Sequence, residues 1–342
     1  MRPLLFKRVL EAGLAPADIR ERWALELRQV LMQNLALEGE LISVCRAFRA
    51  AGVACLALKG PTLAHIAYGD QGLREYCDLD LLVRPQSLPV AVSLLGSSGF
   101  RPPQGLEWLS PAGLRRWAVE MPYSSERGIT IDLHWKLTPQ FDVLQIDEEL
   151  LWNSTHEIAL AGTRVPTIAP EPLFIFLAVH GAKHCWEHMG WIADLAWLTH
   201  SIDGFDFSRT YGLAKRLQNE RAFLLACALM RDVFGCELPD TLRSAIAEDS
   251  RITGLLEAVH RRWRTGPLET PDTGEMLAFG AQMTQSRTAL LGSLFAGTFR
   301  PSWHEWQRYK LPEPLFWLYA PLRIPRLLRK HVGRLSIWRR EP

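Results

Sequence analysis

Asp78 and Asp80, separated by one leucine inside an apolar run that ends at Val83, are the residues of this chain best placed to do chemistry. Side chains at i and i+2 of a strand point to the same face, so the two aspartates project together while Leu79 points into the core. Two carboxylates side by side are costly unless a cation sits between them. A hard divalent ion such as Mg²⁺ suits them, because it takes oxygen ligands and leaves positions open for water and phosphate. A third carboxylate is then expected from another strand, and the alternating segment ITIDLHW, residues 129–135, supplies Asp132. Three convergent carboxylates suit a site for phosphoryl or nucleotidyl transfer with one or two metal ions.

The elements around these aspartates must position phosphate. Residues 53–58 read as a strand that ends in Lys59-Gly60-Pro61-Thr62. Pro61 suits a first helical position, and Gly60 lets backbone N–H groups approach an anion closely, with the Lys59 charge beside them. Alone, KGP is an ordinary strand-to-helix turn with a solvated lysine. With Asp-x-Asp twenty residues on, it reads as a phosphate cradle. Arg74, in the polar loop 69–76, can neutralise a triphosphate or hold Asp78 by a bidentate contact. On the strand of Asp132, His134 shares its face and is either a supporting partner, a base or a structural histidine.

The order of glycine turn, helix, Asp-x-Asp strand and later lone aspartate on a strand resembles the nucleotidyltransferase superfamily that includes DNA polymerase beta and the aminoglycoside nucleotidyltransferases. The finer pattern is LKG, Arg74-x-x-x-Asp78-x-Asp80-x-x-Val83, then IDLHW and His180-x-x-x-His184-x-Trp186. It is similar to the bacterial branch called uncharacterised nucleotidyltransferases, over about residues 20–330. The turn departs from the wider superfamily, which usually has Gly-Gly or Gly-Ser where this chain has Lys59-Gly60-Pro61. The resemblance implies a phosphate role for Arg74 and makes His180, His184, Trp186 and Asp194 supporting site residues.

Length and composition set the frame. A chain of 342 residues, 48% hydrophobic and 22% charged, fits a globular protein of two domains. A formal net charge of +2 gives no support to nucleic-acid binding. The six cysteines form no CxxC pair and read as reduced and buried. No secretory signal or membrane-spanning run is evident, so a cytoplasmic location is expected.

Residues 17–51 carry an amphipathic helix or helix pair, with Asp18 as candidate N-cap, ended by Gly52. Ser87 caps a helix to about Leu95, and residues 121–125 and 129–135 pair as an antiparallel hairpin across Arg127-Gly128. Residues 136–150, with Asp142, Asp147, Glu148 and Glu149, read as a solvated acidic loop. A second hairpin, 157–160 with 163–168, turns at Ala161-Gly162. The period then changes from two to helical, which places a domain boundary at about 168/169. The expected fold is α+β: a nucleotidyltransferase-like mixed sheet with flanking helices in residues 1–168, then an all-helical domain with a basic aromatic tail in 169–342.

The helical part opens with a predicted helix over 171–187 that places His180, His184 and His188 on one face. That face can meet the carboxylates across a cleft, with Lys183 or His184 near phosphate and Trp186 stacked on a base. The same spacing fits a helix buried between two layers, and sequence alone leaves both open. A zinc site is disfavoured, since HGAKH lacks the glutamate of HExxH. Asp194 can orient a histidine or cap the turn between helices. Residues 208–300 read as a helical bundle, with turns at Gly235, Pro239, Gly266-Pro267 and Pro271, that shapes an acceptor pocket. The tail gathers Arg323, Arg326, Arg329, Lys330, Arg334, Arg339 and Arg340 against Glu341. Packing on the domain is favoured there, and peripheral contact with an anionic membrane stays open.

The expected activity is Mg²⁺-dependent transfer of a nucleotidyl group from an NTP, with ATP the first choice, to a hydroxyl-bearing small molecule or peptide. Asp78, Asp80 and Asp132 would hold one or two ions, and Lys59, Gly60 and Arg74 the phosphates. A kinase using the same carboxylates, or a nucleotide-binding protein without chemistry, are the alternatives.

Overall fold

The computed structural model describes residues 1–139, 143–264, 270–271, 273–284, 286–299 and 301–326. Asp142, the Gly266-Pro267 turn and the basic residues from Arg329 onward lie outside them.

Among the described residues one mixed sheet has strands β1 (Cys55–Ala57), β2 (Asp78–Val83), β3 (Glu120–Ser124), β4 (Thr130–His134), β5 (Thr155–Leu160) and β6 (Thr163–Ile168). Their order is β3-β4-β2-β1-β6-β5. β4 lies parallel to β2, β2 antiparallel to β1, and β1 parallel to β6. Both expected hairpins are present. The β5–β6 turn needs positive φ at both central residues, and Ala161 and Gly162 adopt 42° and 76°.

Period-two alternation divides the sheet. Leu79, Leu81, Val83, Ile131 and Leu133 point to one face, where they bury against the layer built on helix α2 below. Leu56, Leu58 and Leu82 point to the other, where the C-terminal helices pack. Each such side chain contributes roughly 1.5–3 kcal/mol by burial. The aspartates and His134 lie on that second face, beside the apolar patch that seats the helices.

On the first face, α1 (Arg2–Glu11) leads into α2 (Ala17–Ala50), a single helix rather than a pair. Leu37, Leu41, Val44, Cys45 and Phe48 form its buried stripe at helical spacing. Asp18 sits inside its first turn and makes no cap; Pro16 holds the N-cap position instead. After β1 come α3 (Pro61–Leu63) and a π-helical turn, Ala64–Tyr68; α4 (Leu88–Ser97) and α5 (Pro111–Trp117) follow β2. Ser87 precedes α4, but its side chain makes no cap bond.

The stretch after β4 differs from the solvated loop expected of it. Leu144 and Ile146 are buried in the core, and Asp147 accepts hydrogen bonds from the Glu149 and Leu150 amides to cap α6 (Glu148–Asn153). Apolar side chains spaced between the acids draw the segment inward.

The helical part comprises α7 (Pro170–Lys183), α8 (Met189–Ser201), α9 (Phe207–Arg216), α10 (Glu220–Phe234), α11 (Asp240–Glu248), α12 (Ser250–Arg264), α13 (Thr273–Met283) and α14 (Arg287–Phe299). α10 is its centre, buried from Arg221 to Met230. α15 (Trp303–Arg308) and the 3₁₀ segment Glu313–Leu318 return to the opposite layer, where Trp306, Phe316 and Tyr319 join the core around α2. Arg323 and Arg326 close on the buried carboxylate of Glu305, so the described part of the tail packs on the protein. No described helix is long and apolar enough to cross a membrane.

Candidate active site

Strand register brings the aspartates together. β2 and β4 run parallel with Asp80 paired to Asp132 and Asp78 to Thr130. The Leu58 amide donates to the Asp80 carbonyl at 3.0 Å, which sets the end of β1 against β2. There the chain turns through Gly60 at φ 63°, ψ −128°, a conformation open to glycine alone. Its Cα passes so near β2 that an added Cβ would lie 3.5 Å from the Asp78 carbonyl oxygen.

Asp80 is almost fully buried at the centre of a chain of charges. Its Oδ1 lies 3.1 Å from Lys59 Nζ and 3.3 Å from His134 Nε2. His134 Nδ1 in turn lies 2.9 Å from Glu120 Oε2, an ion-pair contact that lacks hydrogen-bond alignment. Burial alone would raise the Asp80 pKa, but Lys59 and His134 outweigh it and hold the carboxylate well below its usual range. Burial likewise disfavours a charged His134, yet Asp80 and Glu120 push its pKa up to about 9. His134 is therefore an imidazolium at neutral pH, positioned as a cationic support of Asp80.

The other two aspartates behave oppositely. Burial and then the charge of Asp80 raise the Asp78 pKa, and burial with the charges of Asp80 and Asp78 lifts Asp132 to about 6. Asp80 Oδ2 is buried without a partner. Among the described residues no three His, Cys, Asp or Glu side chains are yet drawn close enough to hold a metal as they stand. The unpartnered oxygen and two carboxylates whose charged forms are disfavoured by burial and by the charge of Asp80 are nevertheless the donor set that suits a hard divalent cation.

Arg74 departs from the expected contact with Asp78. It makes a bidentate contact, but to Asp194 in α8, with Nε and Nη2 at 2.9 and 3.0 Å, and not to Asp78. Tyr68, at the end of the π-helical turn, donates its hydroxyl to the same carboxylate at 2.9 Å. Asp194 thus neither orients a histidine nor caps a turn; it is nearly fully buried and ties the helical part to the loop before β2. Arg74 Nη1 is buried with no partner, at the wall of the central cavity. From α2, the buried Asn34 donates Nδ2 to the Arg74 carbonyl at 2.7 Å and fixes the same loop.

The histidine face is built differently from the continuous helix expected over 171–187. α7 ends at Lys183, and Cys185 and Trp186 both take φ 52° in a turn before α8. Trp186 is fully buried and plugs against Gly181, where an added Cβ would meet its ring at 2.5 Å. It is core and cannot stack on a base. The indole that faces the cavity is Trp191, with ring centroids 4.9 Å from His180, 5.7 Å from His184 and 4.9 Å from His188. Burial holds His180 well below its ordinary pKa and His184 at about 4, so both are neutral. Lys183 reaches the Leu137 carbonyl at 3.5 Å.

A cavity of about 980 Å³ joins these parts, with the aspartates, Lys59, Gly60 and Arg74 on one side and His180, Lys183, His184 and Trp191 on the other. Sequence reasoning missed Glu120, Tyr68, Asn34 and Trp191. Glu120 was accessible in principle, because the β3–β4 pairing sets it opposite His134. The other three carry no local signal.

Comparison with known proteins identifies the family. A family model described as uncharacterised nucleotidyltransferase matches residues 1–235. A search of curated proteins returns no match. Among solved structures, an antigenic nucleotidyltransferase-like protein from Paracoccidioides brasiliensis aligns with 14% identity and a TM-score of 0.35, over 65% of this chain and 92% of that one. Carrying its aspartates on the paired strands β2 and β4, the chain belongs to the uncharacterised nucleotidyltransferase family and is a transferase.

Proposed function

We propose that the protein transfers a nucleotidyl group from an NTP, ATP by preference, to a hydroxyl-bearing small molecule or peptide, with Mg²⁺ as cofactor. The observation that carries the reading is the Asp80–Asp132 register, with Asp78 on the same face and Asp80 Oδ2 unpartnered. Asp78, Asp80 and Asp132 would hold one or two magnesium ions, which when bound supply charge neutralisation to the phosphates and acidify an oxygen ligand. Lys59, the Gly60 backbone and Arg74 Nη1 steady the triphosphate, and Asp194 and Tyr68 hold Arg74 for that task. Lys59, whose Nζ lies 3.1 Å from Asp80 Oδ1, is within reach of phosphate bound beside that carboxylate.

Asp132, with its pKa raised to about 6, is suited to accept the proton of the acceptor hydroxyl. The acceptor oxygen then bonds to the α-phosphorus as the bond from that phosphorus to the bridging oxygen breaks. Pyrophosphate leaves with the electron pair, its charge offset by Lys59 and Arg74. We assign this chemistry to residues 1–168 and acceptor recognition to the helices after them. Six free cysteines support a cytoplasmic setting.

The test is incubation of the protein and Mg²⁺ with ATP labelled at the α- or the γ-phosphate, with cell extract as acceptor source. Transfer of the α-label with release of pyrophosphate is expected. Transfer of the γ-label alone would make the enzyme a kinase instead.

A further inference from the structure

The turn that ends α7 is an expensive piece of backbone. Cys185 and Trp186 are consecutive non-glycine residues at φ 52°, a conformation that L side chains adopt only under strain. It is maintained by the plug of Trp186 against Gly181 and by the hydrogen bond from Trp263 Nε1 to the Trp186 carbonyl at 2.8 Å. The consequence of that geometry lies on the cavity side. The turn swings α8 back so that Trp191 meets the rings of His180 and His184, which an uninterrupted helix could not arrange. All three side chains are part-exposed and line the cavity.

We propose that His180, His184 and Trp191 form a subsite for the nucleobase of the donor nucleotide. The inference rests on the nucleotidyl-transfer reading above and extends it from the phosphates to the base. The wall offers aromatic surface for a planar π-system, and imidazole nitrogens able to donate or accept at a base edge. Neutral imidazoles suit it, because a base carries no charge to be matched. Its place fits a nucleotide: Lys59, the lysine of the phosphate turn, is near enough to bear on both His180 and His184. A nucleotide with its phosphates at Lys59 and Gly60 therefore has aromatic surface within reach of its base. Trp186, the last residue of the His180-x-x-x-His184-x-Trp186 pattern, serves this wall only from behind.

Binding of each NTP and of inorganic tripolyphosphate, in excess Mg²⁺, to the full-length wild type and to Trp191→Leu and Trp191→Phe tests this by calorimetry. The wild type should bind at least one NTP more tightly than tripolyphosphate. Trp191→Leu should weaken that NTP about tenfold, in keeping with the loss of base stacking, and leave tripolyphosphate within about twofold, while Trp191→Phe keeps most of the affinity. Tripolyphosphate weakened as much as the NTP, or NTP binding unaffected by Trp191→Leu, would overturn the subsite. Wild-type protein that binds tripolyphosphate and every NTP equally would remove the subsite and leave the transfer reading standing. Wild-type protein that binds neither would remove both.

Discussion

Arg74 and Asp194, 120 positions apart, meet in a bidentate ion pair that joins the loop before β2 to helix α8. Both side chains are buried, so neither charge can be left alone cheaply. Asp194→Asn should destabilise the protein by roughly 3–5 kcal/mol, the usual cost of orphaning a buried charge. Urea denaturation measures it. Asp194→Glu, which keeps the charge, should recover part of the loss, whereas removal of an incidental surface pair would change little.

His134 gives the fold a pH dependence of defined sign. Its pKa rises from 6.5 to about 9 on folding, so its contribution is complete below about 6.5 and is lost as pH rises through about 9. The loss amounts to at most about 3 kcal/mol. Denaturation at a series of pH values in chelator should show stability falling across that window, and His134→Phe should flatten this slope.

Much of this was legible locally. Period two put Asp78 and Asp80 on one face, and ITIDLHW supplied the strand of Asp132. The hairpins followed from their turns, and the family resemblance supplied the reaction class. The partner of Arg74 was not legible, because nothing near Arg74 in sequence specifies a carboxylate on α8. The break of α7 was hidden for another reason: Cys185 and Trp186 are poor residues for positive φ, and tertiary contacts, the plug of Trp186 against Gly181 and the Trp263 hydrogen bond, hold them there. The same plug explains why the tryptophan of the sequence motif is core while Trp191 faces the cavity.

Gly181 makes that argument testable. Gly181→Ala places a methyl 2.5 Å from a fully buried indole. The variant should lose about 1–3 kcal/mol by overpacking. Nucleotide affinity should fall with it, because the turn that presents His184 and Trp191 must shift; calorimetry on the folded variant reads this.

Asp132 sets the acid limb of the reaction. A base must be deprotonated, so the transfer rate should fall as pH drops, with a midpoint at or below about 6, since a bound cation lowers the pKa further. A pH–rate profile in saturating NTP measures it.

The central claim is that three carboxylates on two paired strands perform the transfer. The direct measurement is the rate of α-label transfer by wild type, Asp78→Asn, Asp80→Asn and Asp132→Asn, with folding of each variant verified. Each substitution should lower the rate by at least about a hundredfold. Folded Asp80→Asn protein that transfers label at the wild-type rate would contradict the account.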